Sequence, residues 1–79
     1  MKYVFDRITV SDDVCNGKPT IRGKRITVQT ILEFLSSGDD IDEILRQYPS
    51  LEYEDILASL KFAAELLDRR FTLISGLWI

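Results

Sequence analysis

The spacing of the apolar residues changes at Val28, and this change predicts how the chain is organised. Before Val28, short β-prone stretches are separated by breaks at Gly17-Lys18-Pro19 and Gly23-Lys24. After it, apolar residues recur every three or four positions, which is the period of an α-helix. We therefore predict a mainly α fold, with a small N-terminal β-hairpin before a trihelical, helix-turn-helix or winged-helix-like bundle. The predicted single domain, 1–79, divides into a β-rich hairpin region at 1–27, a three-helix bundle at 28–70 and an apolar tail at 71–79.

The N-terminal region contains two candidate β elements. Ile8-Thr9-Val10 alternates apolar and polar residues, as expected of a short, half-buried strand. Further along, Thr20-Ile21-Arg22 and Arg25-Ile26-Thr27 flank Gly23-Lys24. Glycine at the first central position of a hairpin loop favours a type II′ turn, so we predict such a turn at Gly23-Lys24.

The first two helices have recognisable ends. Thr27 is the expected N-cap of the first helix, and Gly38 the residue that stops it. Asp40 is the expected N-cap of the second helix, which Pro49 ends. This capping explains the acidic cluster at residues 39–42 more simply than a metal site does, and we predict no metal.

The third helix is predicted to run from about Leu51 to Arg70. Phe62 and Leu66 lie together on a narrow apolar line of this helix. Two interpretations are open for them, namely contact with the N-terminal sheet or a surface for another chain. The wider stripe predicted to face the core comprises Tyr53, Ile56, Leu57, Leu60, Ala63, Ala64 and Leu67.

The tail at 71–79 is mostly apolar and carries no charged side chain. Such a segment is not expected to be stable alone in water, so it either closes over the domain's own core or is buried by a second chain. The 79-residue chain has one cysteine and no histidine, which excludes an internal disulfide and the usual zinc ligand sets. A small core without these supports favours a partner or self-association. The predicted partner-binding residues are Phe62, Leu66, Phe71, Leu73, Leu77 and Trp78.

The net charge of −3 is unevenly distributed. Residues 1–30 hold six basic and three acidic side chains, whereas residues 31–79 hold four basic and ten acidic ones. This asymmetry favours an anionic partner for the front of the chain, although a soluble hairpin with a basic tip explains it equally well. Acidic side chains at the start of the third helix would repel phosphates, so the hairpin is the better candidate for DNA contacts. The predicted DNA-binding residues are Lys18, Arg22, Lys24 and Arg25.

Catalysis is not expected of this chain. It lacks histidine, the commonest general base, and Cys15 therefore has no imidazole partner to activate it. We predict neither enzymatic activity nor a cofactor. No apolar run approaches the ~20 residues that span a bilayer. The first ten residues lack the apolar core of a signal peptide, so we expect a cytoplasmic location without membrane attachment.

Several ordered motifs carry a resemblance to a known family. They are the segment at 16–28 (NGKPTIRGKRITV), Tyr48-Pro49-Ser50-Leu51 and Glu54-Asp55-Ile56. Together they closely resemble the bacterial domain of unknown function 433 family, from about Ile8 to Leu67. The resemblance implies a winged-helix-like fold and a role similar to that of VapB-type antitoxins. Such a chain would bind and inhibit a small PIN-like ribonuclease toxin and bind its own promoter DNA as a dimer.

Residue by residue, Lys18, Arg22, Gly23 and Arg25 match the family's hairpin motif. Arg25 is equally suited to a structural role, pairing with a carboxylate across the domain. The family often opens its third helix with Thr-Pro-Glu, whereas this chain has Glu52-Tyr53-Glu54, which leaves the cap to Ser50. Two alternatives to the antitoxin remain open: a homodimeric DNA-binding repressor, and an interaction module without a toxin partner.

Overall fold

A computed structural model describes residues 1–68 of the chain as a small antiparallel sheet followed by three helices. No helix within this described part is long and apolar enough to cross a membrane. The observed elements confirm the predicted order of β-rich region and three helices. They are β1 (Lys2–Phe5), β2 (Ile8–Val10), a single 3₁₀ turn (Cys15–Gly17), β3 (Thr20–Ile21), α1 (Val28–Ser36), α2 (Ile41–Gln47) and α3 (Tyr53–Leu66).

The sheet has the strand order β1-β2-β3, with the predicted strand β2 at its centre. Ile8 of β2 pairs with Ile21, and Thr9 pairs with Thr20. The two threonines are buried, and their Oγ1 atoms lie 3.0 Å apart in a hydrogen bond. The edge strand β1 was not predicted, because Lys2-Tyr3-Val4-Phe5 does not alternate apolar and polar residues, and Lys2 to Val4 are all exposed in the structure.

The turn after β3 lies one residue earlier than predicted. Its central residues are Arg22 and Gly23, with φ angles of 45° and 73°, and the Lys24 amide donates to the Ile21 carbonyl at 2.7 Å. Positive φ at both central positions is the signature of a type I′ turn, so the predicted type II′ turn at Gly23-Lys24 was wrong. Beyond the turn, the chain returns to β3 through a single bridge between Thr20 and Thr27.

The predicted ends of α1 and α2 are confirmed. The Thr27 hydroxyl accepts a hydrogen bond from the Thr30 amide at 3.0 Å, and the Asp40 carboxylate accepts one from the Glu43 amide at 2.9 Å. Gly38 follows α1 with a φ of +99°, a conformation that favours glycine. In contrast, α3 is shorter than predicted, and Glu52 rather than Ser50 occupies its N-cap position.

The core lies between the sheet and the three helices, and α3 faces it with a different side from the one predicted. Polar Asp55 and Ser59 are buried beside Ile56. The Ser59 hydroxyl donates to the Asp55 carbonyl at 2.9 Å, so it is satisfied without solvent. Most of the predicted core stripe is instead exposed, namely Tyr53, Leu57, Leu60, Ala64 and Leu67. The buried apolar residues are Ile8, Ile21, Val28, Ile31, Ile44, Leu51, Ile56 and Ala58.

Candidate functional site

Two arginines occupy neighbouring turns of the sheet, and both adopt a left-handed backbone conformation. Arg7 lies between β1 and β2 with a φ of 64°, and Arg22 follows β3 with a φ of 45°. The Arg22 amide donates to the Arg7 carbonyl at 3.0 Å, which fixes the two turns side by side. Such φ values are uncommon for residues other than glycine and need compensation from the surroundings.

The compensation comes from the carboxylate of Asp55 in the first turn of α3. Arg22 donates from Nε to Oδ1 at 3.0 Å and from Nη2 to Oδ2 at 2.8 Å, which is the two-pronged geometry that a guanidinium favours. Arg7 Nη1 donates to Oδ1 at 2.9 Å, and the Glu52 amide donates to Oδ2 at 2.8 Å. The Asp55 side chain is completely buried, and each of its oxygens accepts two hydrogen bonds. We call Arg7, Arg22, Glu52 and Asp55 the arginine–carboxylate cluster.

The cluster keeps both of its carboxyl groups ionised. Burial by itself would raise the pKa of Asp55, but hydrogen bonds from Arg22, the Glu52 amide and Arg7 outweigh it and hold the pKa below its ordinary value. The pKa of Glu52 is lowered by its 2.7 Å hydrogen bond from Arg7 and by the charge of Arg22. The same contacts raise the pKa of both guanidinium groups. The cluster is thus two ion pairs with no net charge.

This arrangement changes the interpretation of Arg22, which was predicted to bind DNA. Its guanidinium is held by Asp55 and by the Ser50 carbonyl at 3.2 Å, so the side chain joins the hairpin to the start of α3. The structural pairing considered for Arg25 is made by Arg22 instead. Arg7 and Asp55 were not recognised as partners from the sequence, because nothing in the spacing brings a turn near residue 7 to the start of α3.

The other three predicted DNA-binding residues remain available. Lys18 and Arg25 are exposed, and Lys24 is half-buried in the turn. Within residues 1–68, none of the three forms a salt bridge. The hairpin region therefore presents three cations whose charge is not matched by a carboxylate of the described part of the chain.

An apolar groove of about 260 Å³ lies between α1 and the last turns of α3. Phe62 lines the groove and packs on Phe5 of β1, with ring centroids 5.6 Å apart. This contact with the sheet is one of the two interpretations offered for Phe62. Leu66 lies at the rim and is 52% exposed. The apolar lining of the groove comprises Pro19, Val28, Leu32, Phe62, Ala63 and Leu66.

The remaining predicted partner-binding residues, Phe71, Leu73, Leu77 and Trp78, lie outside the described residues. The described chain ends at Asp68, two residues after Leu66 of the groove. Among residues 1–68, no three Cys, Asp or Glu side chains are grouped so that they could hold a metal ion. Asp40 has the capping role expected of it.

Comparison with known proteins places the chain in a family. The model of the family described as "Protein of unknown function (DUF433)" matches residues 8–63, which include the hairpin, α1, α2 and most of α3. The chain belongs to the DUF433 family. The match covers Arg22, Asp55 and the whole of the buried core, so the arginine–carboxylate cluster lies inside the DUF433 segment, except for Arg7 just before it.

Two relatives extend this finding. The DUF433 chain is 34% identical over 64 residues to the uncharacterized protein y4eO of Sinorhizobium fredii (strain NBRC 101917 / NGR234). It also resembles the crystal structure of a DUF433 member protein from Anabaena variabilis ATCC 29413, with a TM-score of 0.72 and 32% identity. The alignments cover 80% and 75% of this chain. They span only 29% of y4eO and 58% of the Anabaena chain, so both relatives are longer than the shared segment.

Proposed function

We propose that this chain is an antitoxin-like binding protein that inhibits a small PIN-like ribonuclease toxin by occupying the toxin's active-site groove. The observation that carries the proposal is the apolar groove between α1 and α3, whose rim residue Leu66 precedes the apolar segment 71–79 along the chain. Exposed apolar side chains in the groove and an apolar segment further along the sequence are both features expected of a chain that binds a protein partner. The hairpin motif resembles that of the DUF433 family, and what this resemblance implies supports a PIN-like ribonuclease as the partner.

Inhibition in this proposal is steric. The chain has no histidine, and its buried carboxylate is saturated with hydrogen bonds, so binding is the mechanism that these side chains support. The acidic balance of residues 31–79 complements the basic groove with which a ribonuclease holds RNA. Charge attraction would accelerate association, and the apolar contacts of Leu66 and the tail would slow dissociation.

The test is capture followed by an activity measurement. The tagged full-length chain is used to recover a partner from its host, and the purified partner's cleavage of single-stranded RNA is measured against increasing amounts of chain. We expect a PIN-like ribonuclease that loses activity at equimolar chain. Leu66→Glu and Trp78→Asp should each abolish inhibition, whereas Tyr3→Glu, a matched change of an exposed side chain on β1, should not. A captured nuclease that stays fully active in excess chain would contradict the proposal.

The second candidate function is binding to promoter DNA, with α2 and α3 as a helix-turn-helix and the hairpin as a wing. Two observations favour it. Lys18, Lys24 and Arg25 form no salt bridge within residues 1–68, and the acids Glu52 and Asp55 at the start of α3 are neutralised by arginines. Phosphate contacts from the hairpin would therefore meet less repulsion than the sequence alone indicates.

The salt dependence of DNA binding tests whether the cations of the hairpin contact phosphates. Binding to the DNA upstream of the gene should weaken steeply with salt, and Lys24→Ala and Arg25→Ala should each reduce the slope by about one unit. Lys61→Ala, which removes a cation from α3, shows whether the helix-turn-helix itself adds a phosphate contact to those of the hairpin. Arg22→Ala is unsuitable for this purpose because Arg22 holds Asp55. Equal slopes in all four proteins would exclude the hairpin as the DNA contact.

A further inference from the structure

The side of α3 that faces away from the core carries a row of apolar side chains. Tyr53, Leu57, Leu60 and Leu67 are 51%, 43%, 42% and 67% exposed, and Ala64 is exposed as well. We call these five residues the outer stripe. At ~100° per residue they lie on the opposite side of the helix from Asp55 and Ser59. Nothing within residues 1–68 covers them, although exposed leucines in a continuous row are unfavourable in water.

The spacing of the outer stripe is that of a helix that packs against another helix. Successive members are four, three, four and three residues apart, which is the heptad period of a coiled-coil seam. The stripe begins at the first residue of α3 and continues to Leu67, which follows its last, over about 21 Å. A helix face that only contacts solvent does not require apolar residues at this period. The regular spacing along the whole helix therefore indicates packing against another helix.

The charges beside the stripe indicate which helix fits. Glu54 and Lys61 lie along one edge of the stripe, one position after Tyr53 and Leu60. In an antiparallel pair of α3 helices, Leu57 of each copy packs against Leu60 of the other, and Tyr53 against Ala64. This register places Glu54 of each copy beside Lys61 of the other, so a two-fold axis produces two attractive pairs.

We propose that the outer stripe is the interface of a symmetric homodimer in which two α3 helices pack antiparallel. A parallel pair would set Glu54 level with Glu54 and Lys61 level with Lys61, and would form neither attraction. The antiparallel pair uses a face that the groove of Phe62 and Leu66 does not share, so dimerisation and toxin binding are separate properties. The inference therefore does not depend on the proposed function.

The test is the mass of the full-length chain in solution, measured by sedimentation equilibrium from micromolar to millimolar concentration. We expect a monomer–dimer equilibrium that Leu60→Asp shifts to monomer, because each copy then places a carboxylate in the centre of the seam. Glu54→Lys and Lys61→Glu should each weaken the dimer about tenfold, since every such change creates two like-charge contacts. The double variant carrying both changes should recover the wild-type dissociation constant.

The recovery by the double variant is the decisive result. Residues 54 and 61 are seven positions apart on one helix and do not touch within a monomer, so only contact between copies restores binding. Glu33→Lys, the same charge reversal at an exposed position of α1, is the control and should leave the dissociation constant unchanged. Circular dichroism of each variant confirms that α3 is intact. Two results would overturn the proposal. One is a monomer at every concentration, which would make the tail at 71–79 the candidate cover of the outer stripe. The other is a dimer whose dissociation constant does not change when the charges are exchanged.

Discussion

Arg22 and Asp55 are separated by 33 positions in the sequence, yet two parallel hydrogen bonds of 3.0 and 2.8 Å join their side chains. Through this contact the turn after β3 is fastened to the first turn of α3. Arg7 adds a third hydrogen bond from the neighbouring turn, so the same carboxylate holds two turns with left-handed residues against one helix. The junction of sheet and helices in this fold therefore depends on one buried acid.

We expect Asp55→Asn to destabilise the fold strongly. The substitution keeps the shape of the side chain but leaves two guanidinium groups without their buried counter-charge. Removing one member of a buried ion pair costs several kcal/mol, and we expect about 3 kcal/mol here because the arginines are partly exposed. The measurement is urea unfolding at neutral pH. Glu52→Gln, which alters a carboxylate at the exposed edge of the same cluster, should cost clearly less. Equal losses in the two variants would contradict the central role of Asp55.

The cluster also predicts how stability depends on pH. The pKa values of Asp55 and Glu52 are lower in the folded chain than their ordinary values of about 3.9 and 4.3. As the pH falls below those ordinary values, the unfolded chain takes up protons that the folded chain does not, so the free energy of unfolding falls. The contribution is complete above about pH 5 and is lost as the pH falls through the folded pKa values.

Urea midpoints measured between about pH 7 and pH 3 test this dependence. We expect a flat region above about pH 5, because the chain has no histidine, followed by a steep decrease. The double variant Asp55→Asn/Glu52→Gln should be less stable throughout but should show a shallower decrease on the acid side. An acid limb of unchanged steepness would mean that other carboxylates dominate acid unfolding.

Gly38→Ala is expected to destabilise the chain through its backbone alone. Gly38 follows α1 with a φ of +99°, and a Cβ at this position would meet no atom within 4 Å. The cost therefore comes from the left-handed conformation and should be about 1 kcal/mol. Thermal unfolding is compared with that of Gln29→Ala, a change at an exposed position of α1. A Gly38→Ala chain as stable as the Gln29→Ala control would show that α1 can end in another conformation.

Phe62 and Leu66 are expected to separate stability from binding. Phe62 packs on Phe5 and against the core, so Phe62→Ala should cost about 3 kcal/mol in urea unfolding. Leu66 is half exposed at the rim of the groove, so Leu66→Ala should cost under about 1 kcal/mol. The partner-binding role predicted for Leu66 can therefore be tested in a folded chain. If Leu66→Ala unfolds the domain as readily as Phe62→Ala does, the rim is part of the core.

Local chemistry by itself determined much of this fold. Thr27 and Asp40 cap helices because a short polar side chain can satisfy free amides of the first turn wherever that turn lies. Gly38 ends α1 for an equally local reason, since only glycine enters the left-handed region without cost. Strand β2 followed from its alternation of apolar and polar residues. These features depend on neighbours in sequence, which is why the sequence predicts them.

The tertiary structure decided which side of α3 is buried and what Arg22 does. Counting apolar residues placed Leu57 and Leu60 in the core, but the core received Asp55 and Ser59. A carboxylate is favourable inside only when donors reach it, and those donors come from turns at Arg7 and Arg22, far away in sequence. The spacing of apolar residues carries no information about partners that are distant in sequence and meet only in the folded chain. The apolar side of α3 was thereby left outward, where we propose that it packs against a second copy.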